Sequence, residues 1–329
     1  MGLTSSLLSF FSNPFYLFGA LISVRVAYYF VRVFFVNGPR CRSTDRLDGK
    51  NVIITGGNTG IGKETAMGLA VRGARIYIAC RDMKKGQLAL NEIREKSGNE
   101  NIFLMKLDLA SCESIREFVK EYEKKEDQIH VLLLNAGVMI TPYQKTVEGF
   151  EFQFGINHLG HFYLTHLCLD LLKSSAPSRV LVVASLAYLP GSLDFSDMQW
   201  SKSYNSYLSY CRSKLANVLF ARELGKRVGE DGVTVVSLHP GTVYTEITRD
   251  LLTGWFSILK PAAHLAMYLF SKTPEQGAQT SIYCATAPEV EGQQGTFWDS
   301  CAMKKLTKKG VNDEESKRLW DYSVEQLGL

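Results

Sequence analysis

The hydropathy pattern divides the chain at about residue 47. From Leu7 to Val36 nearly every residue is apolar or aromatic. Asn13 followed by Pro14 is a helix start, an Asn cap with proline at the first helical position. A helix over residues 14–36 would be about 34 Å long at 1.5 Å per residue, enough to cross a bilayer core. Arg25 and Arg32 interrupt the run and, seven residues apart, share one face. Arg32 is placed to snorkel to an interface, whereas Arg25 lies deeper and costs more. A helix lying flat in the interface is therefore the competing reading. The basic residues follow the apolar run and no small-x-small site ends it, which argues against a cleaved signal peptide. Arg40, Arg42 and Arg46 come just after it, so the positive-inside rule puts the rest of the chain in the cytoplasm.

Beyond this segment short apolar runs alternate with helical patterns. Strands are predicted at Asn51–Thr55, Ala74–Cys80, Ile102–Leu107, His130–Leu134, Arg179–Ala184 and Val233–Leu238. Helices are predicted at Ile61–Arg72, Met83–Lys96, Ser111–Lys125, around Phe152–Leu172, and at Tyr204–Val228. Such alternation builds a parallel sheet with helices on both faces, and uninterrupted apolar strands suit a sheet covered on both sides. The expected fold class is α/β: a single doubly wound parallel sheet over residues 48–329, behind an N-terminal membrane helix in an anchor of residues 1–47.

Composition narrows the function classes. With 46% hydrophobic and 21% charged residues, the 329-residue chain is neither disordered nor low in complexity. Residues 1–50 carry the whole net charge of +4; the remainder balances 31 basic against 31 acidic residues. A neutral body argues against nucleic acid as a partner. The basic run from Lys304 to Lys309 reads as a solvated turn. Seven cysteines, an odd number with no CxxC pair, point away from a disulfide scaffold or a zinc site. Met1-Gly2 with Ser6 also fits a short myristoylation pattern, and Cys41 stands where a palmitoylated cysteine would.

Thr55-Gly56-Gly57-Asn58-Thr59-Gly60-Ile61-Gly62 follows the first strand and opens a helix. Glycines let the backbone turn sharply and approach a pyrophosphate, whose charge the helix N-terminus attracts. A dinucleotide site for NAD usually places an acid at the end of the second strand. Here Cys80 is followed by Arg81, and the acid, Asp82, comes late. A guanidinium suits a 2′-phosphate, so the expected cofactor is NADP(H); alternatively Arg81 is a plain surface residue of the loop. Lys63 could add charge near the phosphates but more naturally faces solvent. Asp108 stands where an adenine amino group would lie. Asn135-Ala136-Gly137 ends the fourth strand at the edge where ligands bind.

Tyr210 and Lys214 are four apart in a predicted helix and stack on one face. An ammonium beside a phenol favours the phenolate, which predicts a lowered Tyr210 pKa suited to acid–base work. Tyr268 and Lys272 repeat the spacing, but in an apolar stretch beyond the sixth strand. Ser185 ends the fifth strand, placed to hydrogen-bond a substrate oxygen. Asn157, inside a helix, is either a packing amide or the holder of a water beside Lys214. His158 and His161 flank it and read as packing or surface residues, since further metal ligands are not found.

TGGNTGIG, LDLAS, LNAG, INHLGHF, VASLA, YCRSK and HPGTV occur in the order and spacing of the short-chain dehydrogenase/reductases, over residues 48 to about 300. The ACRD, INHLGHF and SLAY runs with an N-terminal anchor resemble the microsomal NADP-linked retinol dehydrogenases. The resemblance implies a Rossmann-type domain and a tetrad of Asn157, Ser185, Tyr210 and Lys214. Ser185 would orient a carbonyl, Tyr210 exchange the proton, Lys214 bind the nicotinamide ribose, and Asn157 support a water relay. It implies cofactor contacts at Leu109, Pro240, Gly241, Val243 and Thr245 besides those above. The Ser185–Tyr210 gap is about twice the superfamily's usual spacing, a feature the retinol dehydrogenase group shares. The greasy run Leu251–Phe270 lies where the superfamily carries a substrate lid, about 242–275, and is otherwise a further core helix. The expected activity is interconversion of a lipophilic alcohol and its carbonyl, most simply retinol and retinal. The alternatives are a sterol, steroid or fatty-aldehyde oxidoreductase, or a non-catalytic NADP-binding membrane scaffold. The implied setting is the endoplasmic reticulum membrane with the catalytic domain facing the cytosol, and a homodimer is among the candidate partner states.

Overall fold

The computed structural model describes residues 14–243 and 269–329. An eight-stranded sheet forms its centre, in the order β3-β2-β1-β4-β5-β6-β7-β8. The strands are β1 (Asn51–Thr55), β2 (Arg75–Cys80), β3 (Ile102–Lys106), β4 (Val131–Leu134), β5 (Ser178–Val183), β6 (Val233–His239), β7 (Thr296–Asp299) and β8 (Ala302–Lys304). Seven run parallel; β8 pairs antiparallel with β7 at the edge. The six predicted strands are present within a residue or so. The two last strands and two C-terminal helices, α8 (Pro274–Thr286) and α9 (Asp313–Leu327), extend the pattern that the sequence reading assigned.

Helices α2 (Gly60–Ala70) and α3 (Met83–Ser97) pack with α8 on one face; α4 (Cys112–Glu123), α5 (Phe152–Phe154 and His161–Leu167) and α7 (Ser206–Val228) cover the other. Local chemistry sets their ends. Asp82 caps α3 by accepting from Lys85 N (3.0 Å), Ser111 caps α4, and Asn205 caps α7. The helix predicted around Phe152–Leu172 is broken. It runs as α5, Phe152–Phe154 and His161–Leu167, on either side of a π-helical turn at Gly155–Gly160, and α6 (Leu169–Ser174) follows. Gly160 explains the close packing of the turn: a Cβ there would meet Leu109 O at 2.5 Å. The turn carries Asn157, as such insertions often do at functional sites.

The N-terminal helix α1 spans Pro14–Val31 and gives way to a π-helical turn at Arg32–Val36. Among the described residues no helix is long and apolar enough to cross a membrane. The Asn13 cap lies outside the described residues. Arg32, expected to snorkel, is instead fastened to the body: its guanidinium donates to Ser271 O (2.9 Å), Leu269 O (3.4 Å) and Gln276 Oε1 (3.3 Å).

His158 and His161 are packing residues. Both are essentially buried, His158 against Ser323 Oγ (2.9 Å) and the Phe154, Phe162 and Phe220 rings. Burial pushes their pKa values down, to about 3 for His158 and about 4 for His161. The folded chain therefore holds them neutral where the unfolded chain, titrating near 6.5, binds protons. Their stabilisation is full above that value and is lost as pH falls through the window from 6.5 to about 4. Burial lowers His130 and His239 with the same sign. We expect the unfolding free energy from urea titration to drop already between pH 6.5 and 5.5, above the carboxylate range, by up to ~1.4 kcal/mol per pH unit for each histidine. A flat profile in that interval would contradict the assignment.

Candidate active site

A doubly wound sheet opens a crevice where neighbouring strands send their connections to opposite faces. Here that point lies between β1 and β4, and a cleft of about 630 Å³ opens there. Its walls include Thr55, Gly56, Asn58, Thr59, Gly60, Ile61 and Gly62 from the first loop, and Arg81, Asp108 and Leu109 after β2 and β3. Asn135, Ala136 and Gly137 follow β4, and Ser185, Tyr210, Lys214, Pro240, Gly241 and Val243 complete it. The structure thus brings together the residues singled out from sequence, with two exceptions. Asn157 is fully buried behind the wall, and Thr245 lies outside the described residues, as do Tyr268 and most of the expected lid.

The glycine loop is fitted to leave room for a ligand. Gly56 and Gly60 have φ of +67° and +55°, conformations that favour glycine. A Cβ on Gly62 would stand 2.4 Å from Gly56 O and 2.5 Å from Asn135 Nδ2. Asn135 is engaged in holding this loop, since its Nδ2 donates to Thr55 O at 2.9 Å.

A buried chain of hydrogen bonds connects loop and tetrad. Thr55 Oγ1 accepts from Asn135 N (2.9 Å) and Ala136 N (3.0 Å), and its hydroxyl proton lies between His161 Nε2 at 2.9 Å and Leu133 O at 3.4 Å, the shorter contact favouring His161. That assigns the other ring proton to Nδ1, which donates to Asn157 O at 3.0 Å. The Asn157 side chain in turn accepts from Val138 N (2.9 Å) and donates to Val138 O and Ser213 Oγ, each at 2.9 Å. Its amide groups are engaged in pinning the backbone after Gly137.

Tyr210 and Lys214 project from α7 as their spacing predicts, both buried. The Lys214 ammonium donates to Val183 O at 3.0 Å and lies 5.7 Å from the centre of the Tyr210 ring. The expected lowering of the Tyr210 pKa is not found. Burial pushes the phenol up to about 12, with the hydrogen bond to Ser185 acting the other way. Burial also pushes Lys214 down to about 8. Desolvation is the largest cause of both shifts, because both groups are buried at the cleft.

Arg81 is exposed at the rim, while the Asp82 carboxylate is engaged as the α3 cap. Lys63 pairs with Glu92 Oε2 at 2.9 Å, away from the phosphate region, with its side chain 22% exposed. Lys272, from the second Tyr-x-x-x-Lys match, lies across Gly241, where a Cβ would meet its Cδ at 2.7 Å.

The model of the short chain dehydrogenase family matches residues 50–254. The chain belongs to that family. Mouse (Mus musculus) retinol dehydrogenase 11 is 49% identical over 88% of this short-chain dehydrogenase and 90% of its own length. Human (Homo sapiens) retinol dehydrogenase 12 is 47% identical over 91% and 92%. Among solved structures, an uncharacterised Mycobacterium Paratuberculosis protein superposes with a TM-score of 0.69 at 29% identity, covering 88% of this chain and 97% of that one. A Pseudomonas aeruginosa RhlG/NADP complex superposes at 0.60 with 23% identity, over 77% and 95%, and shows the fold alone.

The cleft of this dehydrogenase also includes residues not singled out from sequence. Val138, Met139, Ile140 and Thr141 directly follow the Asn-Ala-Gly motif, and Tyr207 lies one helical turn before Tyr210. His239 opens the His-Pro-Gly-Thr-Val motif, yet only the residues after it were taken as candidates. It is buried in the cleft wall with Nδ1 unpartnered.

Proposed function

We propose that the chain is an NADP(H)-dependent oxidoreductase that interconverts a lipophilic alcohol and its carbonyl, with retinol and retinal the first substrate pair to test. The observation that carries this reading is the meeting of a glycine-cradled cleft with Ser185, Tyr210 and Lys214 at one edge of the sheet. The names of the relatives supply the substrate class. When bound, the nicotinamide supplies the hydride in reduction and accepts it in oxidation.

The chain's own part is positioning and proton transfer. Ser185 and Tyr210 both line the cleft, so a carbonyl oxygen placed between them meets two donors. At neutral pH the phenol is protonated and ready to give its proton to the oxygen as the carbonyl is reduced. Lys214, held by Val183 O, offers its remaining donors to the ribose side of the cleft. Asn157 is a positioning residue that fixes Val138 and Ser213 on either side of it. Thr55, Gly56, Asn58, Thr59 and Gly60 to Gly62 would hold the pyrophosphate, Asp108 and Leu109 the adenine, and Pro240, Gly241, Val243 and Thr245 the nicotinamide end.

Arg81 is the natural partner of a 2′-phosphate, because the neighbouring acid is turned away into its helix cap. Arg81→Ala should raise KM for NADPH by about tenfold and change that for NADH little, since a charge-assisted pair is lost only with the phosphate. Equal effects on both would remove the phosphate assignment.

Membrane association through α1 is part of the proposal. Apart from Ser23 and Arg25 this helix is apolar or aromatic, yet Phe15, Phe18, Val24 and Tyr29 are 83%, 65%, 68% and 70% exposed. Such a helix is covered by lipid or protein when stable, and the basic residues after it favour a body on the cytosolic side. The decisive assay is NADPH and NADH consumption by detergent-solubilised protein with all-trans-retinal, a sterol ketone and a long-chain aldehyde. Turnover of retinal with NADPH supports the reading in full. Turnover of another lipophilic carbonyl alone moves the substrate. NADPH binding without turnover of any carbonyl sinks the enzyme.

A further inference from the structure

Ile140 has φ of +54°, a left-handed backbone that β-branched residues rarely adopt. It lines the cleft between Met139 and Thr141. A turn alone would be served better by glycine or asparagine, and outliers of this kind gather at functional sites.

Ile140 is held by a buried polar network. Its N–H donates to Gln153 Oε1 at 2.7 Å. Gln153, fully buried, donates through Nε2 to Tyr204 Oη (2.7 Å) and Ser206 O (2.8 Å). Tyr204 closes the loop by donating to Thr141 O at 3.0 Å. Two backbone groups flanking the strained position are thus tied to the long segment between Ser185 and Tyr210. That segment is itself secured: Arg212 donates to Asp197 O (2.7 Å), Met198 O (3.1 Å) and Ser192 O (3.2 Å) and stacks over Trp200, whose ring meets Tyr204 edge-on. Thr141 lines the same wall, with its hydroxyl buried and unpartnered.

We propose that Gln153 and Tyr204 are positioning residues that hold Ile140 in its left-handed conformation, so that the Ile140 side chain forms the wall against which the apolar part of the substrate lies. The inference deepens the reading above and rests on it. The extra length between Ser185 and Tyr210 then has a role, since it brings Tyr204 back over the β4–α5 loop and makes this wall rigid.

Ile140→Gly separates the wall from the fold, because glycine adopts this backbone without strain. Its Tm should be unchanged or higher, and KM for NADPH should stay within about twofold, while KM for all-trans-retinal rises about tenfold from the lost apolar contact. KM for a short aldehyde such as propanal should not move. Gln153→Leu should raise KM for retinal in the wild-type background and add little in the Ile140→Gly background, where nothing strained remains to be held. Wild-type turnover of retinal with a KM unchanged in Ile140→Gly overturns the inference alone. Additive effects of the two substitutions overturn the positioning role of Gln153. Absence of turnover by the wild type with any aldehyde overturns the functional reading and this inference with it.

Discussion

Tyr210→Phe is expected to lower kcat for NADPH-dependent carbonyl reduction by roughly 10³-fold, within the range of general acid–base contributions, while leaving NADPH binding intact. The phenol is 8% exposed and packed in α7, so phenylalanine keeps its ring contacts. The change removes the phenolic proton donor from the cleft wall that Ser185 shares. Ser185 still accepts from Ala187 N at 3.2 Å, so the turn after β5 keeps its local support. Because burial holds the phenol near 12, the missing proton is one that the wild-type carries throughout the neutral range. NADPH consumption measured beside NADPH fluorescence titration checks both halves. Retention of more than a tenth of the wild-type rate would remove Tyr210 from the chemistry, and loss of NADPH binding would make its role structural.

The second large effect is expected at Gly62. In Gly62→Ala the new methyl would stand 2.4 Å from Gly56 O and 2.5 Å from Asn135 Nδ2. Neither neighbour can give. Gly56 is fixed at φ +67°, and its own Cβ position is 3.0 Å from Ala136 Cα. Asn135 is bonded to Thr55 O. The loop must therefore open, and the backbone groups that would meet a pyrophosphate lose their placement. An affinity loss of about 100-fold for NADPH, some 2.7 kcal/mol, is expected. Gly57→Ala supplies the internal control, since the nearest atoms to its methyl are Ile78 Cγ2 at 3.2 Å, Ile54 O at 3.4 Å and Ile54 Cγ2 at 3.5 Å. It should bind NADPH within a few-fold of wild type. Equal behaviour of the two variants in a titration would show that the cradle does not depend on Gly62.

Much of the site is visible in the primary structure because its signals are local. Ser111 caps α4, the glycine loop sits between β1 and α2, and Tyr210 stacks one turn before Lys214; each rests on a window of a few residues and on backbone preference. The strand-helix alternation is equally local, since a covered parallel strand must be apolar throughout. Even α8 carries such a signal, a capping box from Thr273 to Gln276 with Pro274 at its start.

Tertiary structure decided the rest. β7 is only four residues long, and what makes it a strand is its pairing with β6, more than fifty residues earlier. The chain order alone does not bring β4 next to β1, and that adjacency creates the cleft. The sign of the Tyr210 shift depends on burial, which no spacing of Tyr and Lys conveys. Arg32 was legible as a charge in an apolar helix, but its partners at Leu269, Ser271 and Gln276 lie at the far end of the chain. The same holds for Ile140, whose left-handed backbone is tied to Gln153 and, through Thr141, to Tyr204, residues well apart in the chain. The sequence by itself determined the elements, the glycine cradle and the reactive side chains, because backbone propensity and side-chain periodicity act over short stretches. The fold decided which polar groups are desolvated and what each one touches, because those energies arise between residues that only the packed sheet brings together.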